Sequence, residues 1–295
     1  MSVMVTGASG RLGRLVAAAL LERVPATELI LVSRTPDRLE KFARRGATVR
    51  FGDFSQPGSL AAAFGGATRA LVISTLGSDD PSVEHRAAFE AAARAGVRRI
   101  VYTSVTNPAE DNPFPPARTH ARSESDLRSC GVEWTILRNS LYADLRAEIA
   151  PRYLRDGRWT TNAGDGAHAF VARADCADAA AGALVTGGHD GRTYDITGPE
   201  LIDASQYVAL LTELGGRRVA RHDVGDEEYE RYRTAFSADP ANAAYFELFT
   251  GTGRAIRTGQ MSVLGNGVQQ LAGHPPHALR DLIHQHLPHA DEPPL

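Results

Sequence analysis

The sequence contains almost no lysine, few cysteines and no long apolar run. Lys41 is the only lysine among 295 residues, and Cys130 and Cys176 are the only cysteines. Two cysteines outside a C-x-x-C motif predict reduced packing residues and exclude a disulfide scaffold. No apolar run approaches the roughly 18 residues that cross a bilayer, and nothing at the N-terminus resembles a signal peptide. We therefore expect a cytoplasmic protein without a membrane partner.

Strong net charge is also absent. The formal charge of −3 and the pI of about 6.4 give no electrostatic footprint for nucleic acid. A hydrophobic fraction of 43% in 295 residues suffices for one large domain or two modest domains, each with a hydrophobic core. The protein could also form a homo-oligomer. Prolines interrupt the histidine-rich C-terminal segment, which lacks cysteine or carboxylate-rich partners, so we expect no metal there. Its histidines are His274, His277, His284, His286 and His289.

Three glycines follow a short apolar strand at residues 3–5 and lead into an apolar-periodic helix at 11–22. Their G-x-x-G-x-x-G spacing differs from the commonest G-x-G-x-x-G fingerprint, but strand, turn and helix follow in the required order. Such glycines permit a tight turn, bring backbone N–H groups to a pyrophosphate and let helix and strand pack closely. The alternative is a purely structural turn. The predicted phosphate loop comprises Gly7, Ala8, Ser9, Gly10, Arg11, Leu12 and Gly13.

Strands and helices are predicted to alternate through the first half, which is typical of a doubly wound α/β domain with a parallel sheet. The predicted strands are 3–5, 29–32, 48–51, 70–73, 99–102 and 134–137, and the helices 11–22, 36–45, 58–64, 82–95 and 119–129. Residues 107–116 carry four prolines and are expected to form a loop after the fifth strand, where ligands bind in such folds.

The second half alternates less regularly. Predicted strands lie at 170–171, 192–197 and 218–223, and helices are expected to start near four possible N-cap aspartates, Asp175, Asp203, Asp226 and Asp239. We expect a dinucleotide-binding domain at 1–140 and a smaller α/β, substrate-side lobe at 141–295. Within that lobe, residues 170–198 are expected to pack back on the main sheet.

Arg34 stands at the end of the second strand, about 20 residues past the glycine loop. An acidic residue there would bind the ribose 2′-hydroxyl of NAD, whereas an arginine pairs with a 2′-phosphate. Arg11 could add a second positive charge. The alternative is that both are solvated surface arginines. The pattern favours NADP(H) over NAD(H).

Polar residues at other strand ends complete the predicted cofactor site. Asp53 and Phe54 are expected to flank the adenine, and the remaining positions to line the rest of the cofactor, although each could be an ordinary strand terminus. These positions are Ser74, Thr75, Leu76, Thr103, Ser104, Asn139 and Ser140.

Several motifs together resemble the NmrA-like atypical short-chain dehydrogenase/reductase family, and within it the branch of bacterial NADPH:quinone oxidoreductases of type 2. They are T-G-A-S-G-R-L-G at 6–13, V-S-R at 32–34, G-V-x-W-T-I-L-R-N-S-x-Y at 131–142, A-G-D-G at 163–166, A-R-A-D at 172–175 and A-G-H-P at 272–275. The resemblance implies an NADP-binding Rossmann domain, a small C-terminal lobe and a substrate cleft between them. It also implies that Arg138 to Tyr142 form the nicotinamide-side loop. His120 and Glu124 match the family's segment before the sixth strand.

No Tyr-x-x-x-Lys pair, the usual proton donor of catalytic short-chain dehydrogenases, exists in this sequence. A quinone needs less help from an acid than a simple ketone does, because its reduced oxygen resembles a phenolate. We therefore expect hydride transfer from NADPH to a quinone or similar conjugated carbonyl, with no catalytic residue assigned. His120 and Tyr142 are the candidates for substrate binding; the alternatives are a solvent-facing His120 paired with Glu124 and a packing role for Tyr142.

Two other functions remain open from sequence. One is a regulator that senses NADP(H) without turnover, since some members of the family do so. The other is a tailoring reductase that acts on a larger, polyketide-like aromatic quinone.

Overall fold

A seven-stranded parallel sheet organises the chain, which this computed structural model describes at residues 1–75, 78, 80–237 and 251–287. The strands, in chain order, are β1 (Val3–Val5), β2 (Leu29–Ser33), β3 (Thr48–Phe51), β4 (Arg69–Val72), β5 (Arg99–Val105), β6 (Glu133–Asn139), β7 (Arg158–Thr161), β8 (Ala167–His168), β9 (Arg192–Ile196), β10 (Ile202–Asp203) and β11 (Ala220–Asp223). The sheet has the order β3-β2-β1-β4-β5-β6-β9. The predicted Rossmann fold is confirmed, with a crevice at the point where the order reverses beside β1.

Helices cover both faces of this sheet and form much of a smaller lobe. They are α1 (Arg11–Leu21), α2 (Glu40–Ala43), α3 (Leu60–Phe64), α4 (Pro81–Arg94), α5 (Pro115–Ser129), α6 (Ala143–Asp156), α7 (Arg173–Val185), α8 (Ala204–Gly215), α9 (Asp226–Ser237), α10 (Thr252–Arg257), α11 (Gly267–Ala272) and α12 (Leu279–His286). None of the helices in the described ranges is long and apolar enough to cross a membrane.

The central strands are apolar on both sides because each face of the sheet carries its own core. Every residue of β1 and β2 is buried. On one face, Leu12, Val16 and Leu20 form the buried stripe of α1, in the same core as α7. On the other face, Phe64 and Phe89 join the core formed with α3 and α4. This two-sided burial is characteristic of parallel sheets and produces the continuous apolar runs of the sequence.

The loop after β5 is shorter than predicted. Pro115 and Pro116 occupy the first turn of α5 instead of the loop. Proline suits that position because its missing N–H would have no partner inside the helix. The helix expected from residue 119 therefore starts at 115.

The smaller lobe contains two strand pairs, β7 with β11 and β8 with β10. The strand predicted at 170–171 is wrong: β8 ends at His168, and Val171 forms only a single bridge with Tyr142. Helix α6 and strand β7 were not predicted. Asp203 caps α8 as expected, whereas Ala172 caps α7 in place of Asp175, and the helix expected near Asp239 lies outside the described residues.

Residues 173–196 return to the main sheet. Helix α7 packs against α1, and β9 pairs with β6 as the seventh strand. The lobe proper, called the C-terminal lobe below, therefore consists of α6, β7, β8, β10, α8, β11, α9, α10 and α12. The domain boundary at residue 140 stays a prediction.

Candidate active site

The glycine loop forms a backbone cradle at the N-terminus of α1. Gly7 has φ +60°, and the Ala8 N–H donates to the carbonyl oxygen of Val32 at 3.1 Å, which ties the loop to β2. A Cβ on Gly13 would lie 2.3 Å from the Gly7 oxygen and 2.7 Å from Ala8 Cα. Only glycine permits this close packing of helix and turn. The cradle therefore fits a pyrophosphate at the helix N-terminus.

Hydroxyl groups surround the chain where β2 leaves the sheet. The Ser33 hydroxyl donates to Ser9 Oγ at 2.7 Å and accepts from the Thr35 N–H at 2.9 Å. Arg34, between them, is exposed and has no ion-pair partner within the described part of the chain. Arg11 is bound differently, since its guanidinium contacts both carboxylate oxygens of Glu148 at 2.7 and 2.9 Å. Of these two arginines, Arg34 has the charge available for a 2′-phosphate.

The ends of β3 and β4 are held by local hydrogen bonds. Asp53 accepts from the Ser55 N–H and the Ser55 hydroxyl at 3.0 and 2.9 Å, and Phe54 beside it is buried. The Ser74 N–H donates to Thr103 Oγ1 at 2.9 Å, so the ends of β4 and β5 meet. Leu76, also expected to contact the cofactor, lies outside the described residues.

Glu124 connects the ends of β5 and β6. It accepts from the Ser104 hydroxyl at 2.7 Å and from the Arg138 guanidinium at 2.9 and 2.8 Å, and Arg128 binds it from one helical turn away. Burial alone raises the pKa of this carboxyl, but hydrogen bonds from Arg138, Ser104 and Arg128 outweigh it and hold the pKa below its usual value. Glu124 thus fixes Arg138 through an ion pair and Ser104 through a hydrogen bond.

Near this ion pair, three buried polar atoms have no hydrogen-bond partner within the described ranges. They are Oγ1 of Thr106, Oδ1 of Asn139 and Oγ of Ser140. Leaving such a group buried and unpaired costs roughly 1–3 kcal/mol. The orphaned atoms follow β5 and β6, where the family resemblance places the nicotinamide, and they fit its carboxamide. We call this set of strand ends, from the glycine loop to Ser140, the cofactor edge.

His120 is buried, which contradicts the alternative of a solvent-facing histidine paired with Glu124. It is 3% exposed, and its Nδ1 lies 2.8 Å from the Tyr102 hydroxyl. That hydroxyl also contacts His85, whose Nε2 accepts from the Thr75 N–H at 2.9 Å. Burial lowers the pKa of His120 to about 3 and that of His85 to about 4. Both imidazoles are therefore neutral and join the end of β4 to α5.

Tyr142 caps α6 at the border between the cofactor edge and the C-terminal lobe. The Arg173 guanidinium lies 4.6 Å from the centre of its ring. Burial raises the pKa of Tyr142, so its hydroxyl stays protonated. The backbone of Tyr142 also forms a β-bridge with Val171, which fixes the start of α6.

A cavity of about 320 Å³ opens in the C-terminal lobe, and sequence reasoning missed it. Its wall combines aromatic and aliphatic side chains with a few polar groups. Neither His120 nor Tyr142 lines it. The A-G-D-G motif at 163–166 was the one signal in the sequence, since Ala163 and Gly166 belong to the wall. We call it the lobe cavity; it is lined by Leu145, Arg146, Glu148, Ile149, Tyr153, Trp159, Thr161, Asn162, Ala163, Gly166, His168, Phe170, Ile202, Asp203, Ala204, Tyr207, Tyr229, Thr252, Gly253 and Ile256.

Helix α6 joins the cofactor edge to the lobe cavity. It starts at the cofactor edge after Tyr142, and its residue Glu148 both lines the cavity and pairs with Arg11 of the glycine loop. Asp144, in its first turn, accepts from the Arg173 N–H at 2.8 Å and so anchors α6 to α7. One helix thus positions residues of both regions.

Two of the C-terminal histidines contact aspartates of α7. His277 binds Asp175 at 2.6 Å, and His274 lies 3.5 Å from Asp178. In the ranges that the structure describes, His, Cys, Asp and Glu form no group of three or more that could hold a metal. His289 lies outside those ranges.

Comparison with known proteins decides the family. The model of the NAD(P)H-binding family matches residues 7–186. The chain is 33% identical to quinone oxidoreductase 2 of Escherichia coli over 227 residues, 77% of this chain and 79% of that protein. It is 26% identical to an NmrA-like family domain-containing oxidoreductase of Aspergillus flavus, over 97% of this chain and 95% of that protein. The chain belongs to the NAD(P)H-binding, NmrA-like family.

Solved structures of this family share the fold over nearly the full chain. Triphenylmethane reductase of Citrobacter sp., complexed with NADP(H), matches with a TM-score of 0.88 and 32% identity, covering 97% of this chain and 100% of that one. The Escherichia coli quinone oxidoreductase QOR2, complexed with NADPH, matches with a TM-score of 0.89 and 29% identity, covering 96% and 99%. The predicted NADP(H) cofactor and the oxidoreductase class are confirmed. The chain is an NAD(P)H-dependent oxidoreductase.

Proposed function

We propose that this enzyme uses NADPH to reduce a quinone or a similar conjugated carbonyl that binds in the lobe cavity. The observation that carries the proposal is a cavity with aromatic walls joined to the cofactor edge by α6. Trp159, Phe170 and Tyr207 offer flat faces and edges that suit a planar conjugated ring. The similarity to quinone oxidoreductase 2 supports the same class of acceptor.

The reaction matches a chain without a Tyr-x-x-x-Lys pair. Bound NADPH supplies a hydride, and the quinone takes up that hydride and one proton to become a hydroquinone. The reduced oxygen has a proton affinity near the phenolic pKa of about 10, so it gains little from a strong acid. The single lysine, Lys41, is exposed on α2 and lies 5.0 Å from the ring centre of Phe42. The main task of the protein is therefore to position NADPH and the acceptor relative to each other.

In this proposal the cofactor edge holds NADPH through groups of different kinds. The glycine loop binds the pyrophosphate with backbone N–H groups, and Arg34 pairs with the 2′-phosphate. Asn139 Oδ1 and Ser140 Oγ, which have no hydrogen-bond partner among the described residues, bind the carboxamide. Tyr142 lies at the border of the cofactor edge and does not line the cavity; neutral because burial raises its pKa, it donates only to an acceptor oxygen that projects from the cavity towards the nicotinamide. The assignment of His120 to the acceptor stays a prediction, and its burial favours a structural role.

A larger aromatic acceptor is the second candidate. The triphenylmethane reductase of Citrobacter sp. shares the fold over the whole of its chain. The lobe cavity is partly open, and Tyr229 of α9 adds a further aromatic ring to its wall, which suits a polycyclic quinone.

Oxidation of NADPH by benzoquinones and naphthoquinones tests the proposal. We expect saturable turnover above the uncatalysed rate. Leu145→Trp should fill part of the cavity and raise the KM for the quinone at least tenfold without changing NADPH affinity. Leu264→Trp, at a leucine that is 55% exposed outside the cavity, is the matched control. NADPH binding without turnover of any quinone would refute the proposal.

A further inference from the structure

Arg146 places a positive charge in the wall of the lobe cavity. Its guanidinium carbon lies 5.5 Å from the ring centres of Trp159 and Phe170 and 5.8 Å from that of Tyr207. Such cation–π contacts hold a cation in place. No carboxylate among the described residues pairs with this guanidinium. Three rings thus fix a cation whose hydrogen-bond donors remain available.

Two other polar side chains of the same wall have no hydrogen-bond partner among the described residues. His168 and Thr252 are each 4% exposed, and in those ranges neither ring nitrogen of His168 nor Oγ1 of Thr252 forms a hydrogen bond. Burial, with a smaller effect from the Arg146 charge, lowers the pKa of His168 to about 3. The imidazole is therefore neutral and carries one N–H donor. Native proteins rarely leave such groups unpaired, so they indicate a polar ligand.

The carboxylates of the wall do not compensate Arg146, because each has another partner. Glu148 binds Arg11, and Asp203 accepts from the Gln206 N–H at 2.8 Å as the cap of α8. The wall therefore presents one cation and several unpaired donors to its interior. That pattern fits an anion attached to an aromatic body.

We propose that the acceptor is a conjugated carbonyl compound that carries an anionic oxygen group, such as a carboxylate, sulfonate or phosphate. Arg146 binds this group through charge-assisted hydrogen bonds, Thr252 and His168 donate further bonds, and the aromatic rings contact the rest of the molecule. Because it names the acceptor's substituent, this inference rests on the proposed function.

Two quinones that differ in charge test the inference: 1,4-naphthoquinone-2-sulfonate and 2-methyl-1,4-naphthoquinone. Comparison between variants cancels their different intrinsic reactivity. Arg146→Gln should lower kcat/KM for the sulfonate at least 30-fold and for the neutral quinone less than threefold. Arg146→Lys should retain part of the preference. The control is Arg152→Gln, which removes a charge from the same helix outside the cavity wall and should change neither value.

A ligand that cannot be reduced separates this inference from the proposed function. Naphthalene-2-sulfonate should quench Trp159 fluorescence in a Trp134→Phe background and bind at least tenfold tighter than 2-methylnaphthalene. If neither quinone is reduced but Arg146→Gln weakens the sulfonate tenfold, the proposed function fails and the anion site stands. If the sulfonate binds no tighter than the neutral compound, the inference is overturned. If Arg146→Gln does not fold, the comparison of naphthalene-2-sulfonate with 2-methylnaphthalene on the wild-type protein decides the question by itself.

Discussion

At the cofactor edge, the groups available to a ligand are mostly backbone N–H donors, short hydroxyl or amide side chains and one exposed arginine. In the lobe cavity, they are long side chains from five or more separate elements. A backbone cradle suits the phosphates, which every NADP(H) molecule carries. A wall of side chains can change from one relative to another without altering the fold. Cofactor and acceptor recognition therefore use different kinds of groups on different elements of this chain, and α6 contributes residues to both regions.

The largest effect is expected from a substitution in the glycine loop of the cofactor edge. Gly13→Ala introduces a Cβ 2.3 Å from the Gly7 oxygen, so the cradle must open. We expect the Kd for NADPH to rise more than 100-fold, equivalent to about 2.7 kcal/mol. Calorimetry measures this, and naphthalene-2-sulfonate binding in the lobe cavity should be unchanged. The control is Gly187→Ala, whose Cβ meets nothing within 4 Å. Equal loss of NADPH and sulfonate binding would mean that the two regions are not separable.

A smaller effect is expected from a substitution at Arg34, which should weaken NADPH binding more than NADH binding. Arg34→Ala removes the exposed charge beside Ser33, so NADPH affinity should fall about 30-fold, whereas NADH affinity should fall less than threefold. Titration of both cofactors checks this. Arg94→Ala removes an exposed charge paired with Glu90 on α4 and serves as the control. A parallel loss for both cofactors would show that Arg34 does not bind the 2′-phosphate.

Substitution of His120 should change the pH dependence of the unfolding free energy more than it changes catalysis. Its folded pKa of about 3 lies below the unfolded value of 6.5, so it stabilises the fold above pH 6.5 and this contribution is lost as the pH falls towards 3. Between pH 6 and 5, His120→Gln should reduce the pH slope of the unfolding free energy by about 1.4 kcal/mol per pH unit. Urea unfolding at several pH values measures the slope. An unchanged slope with a tenfold increase in acceptor KM would instead place His120 in contact with the acceptor.

The smallest expected effect lies at the junction of the two regions. Tyr142→Phe removes one hydroxyl donor, so kcat should fall about threefold at unchanged acceptor KM. Since burial raises the pKa of Tyr142, the wild-type kcat should show no tyrosine titration up to pH 10. Steady-state kinetics across pH test both statements. A shift in KM alone would make Tyr142 a packing or binding residue without a role in the reaction.

The two regions also differ in how well sequence predicts them. Gly7, Gly13 and Arg34 lie within one strand–turn–helix–strand unit, so their spacing in the sequence identifies them. All six predicted strands of the first half are present; the central ones are buried on both faces and give continuous apolar runs, whereas β3 is an exposed edge strand.

The lobe cavity left almost no such signal. Arg146, His168 and Thr252 are distant in sequence and meet only through the packing of α6, β8 and α10. For His120 a surface position remained an open alternative to substrate binding, because helix periodicity does not reveal that Tyr102 and His85 pack against it from the neighbouring elements. Long-range packing of polar side chains, unlike apolar periodicity, has no short sequence pattern.

Single-turnover oxidation of enzyme-bound NADPH in a stopped-flow instrument tests the central claim most directly. Rapid mixing of the loaded enzyme with a naphthoquinone should oxidise one equivalent of NADPH at a rate that saturates with quinone concentration, and Leu145→Trp should shift that saturation to higher concentrations. A rate that stays linear in quinone, equals that of free NADPH and ignores the cavity variant would contradict the account.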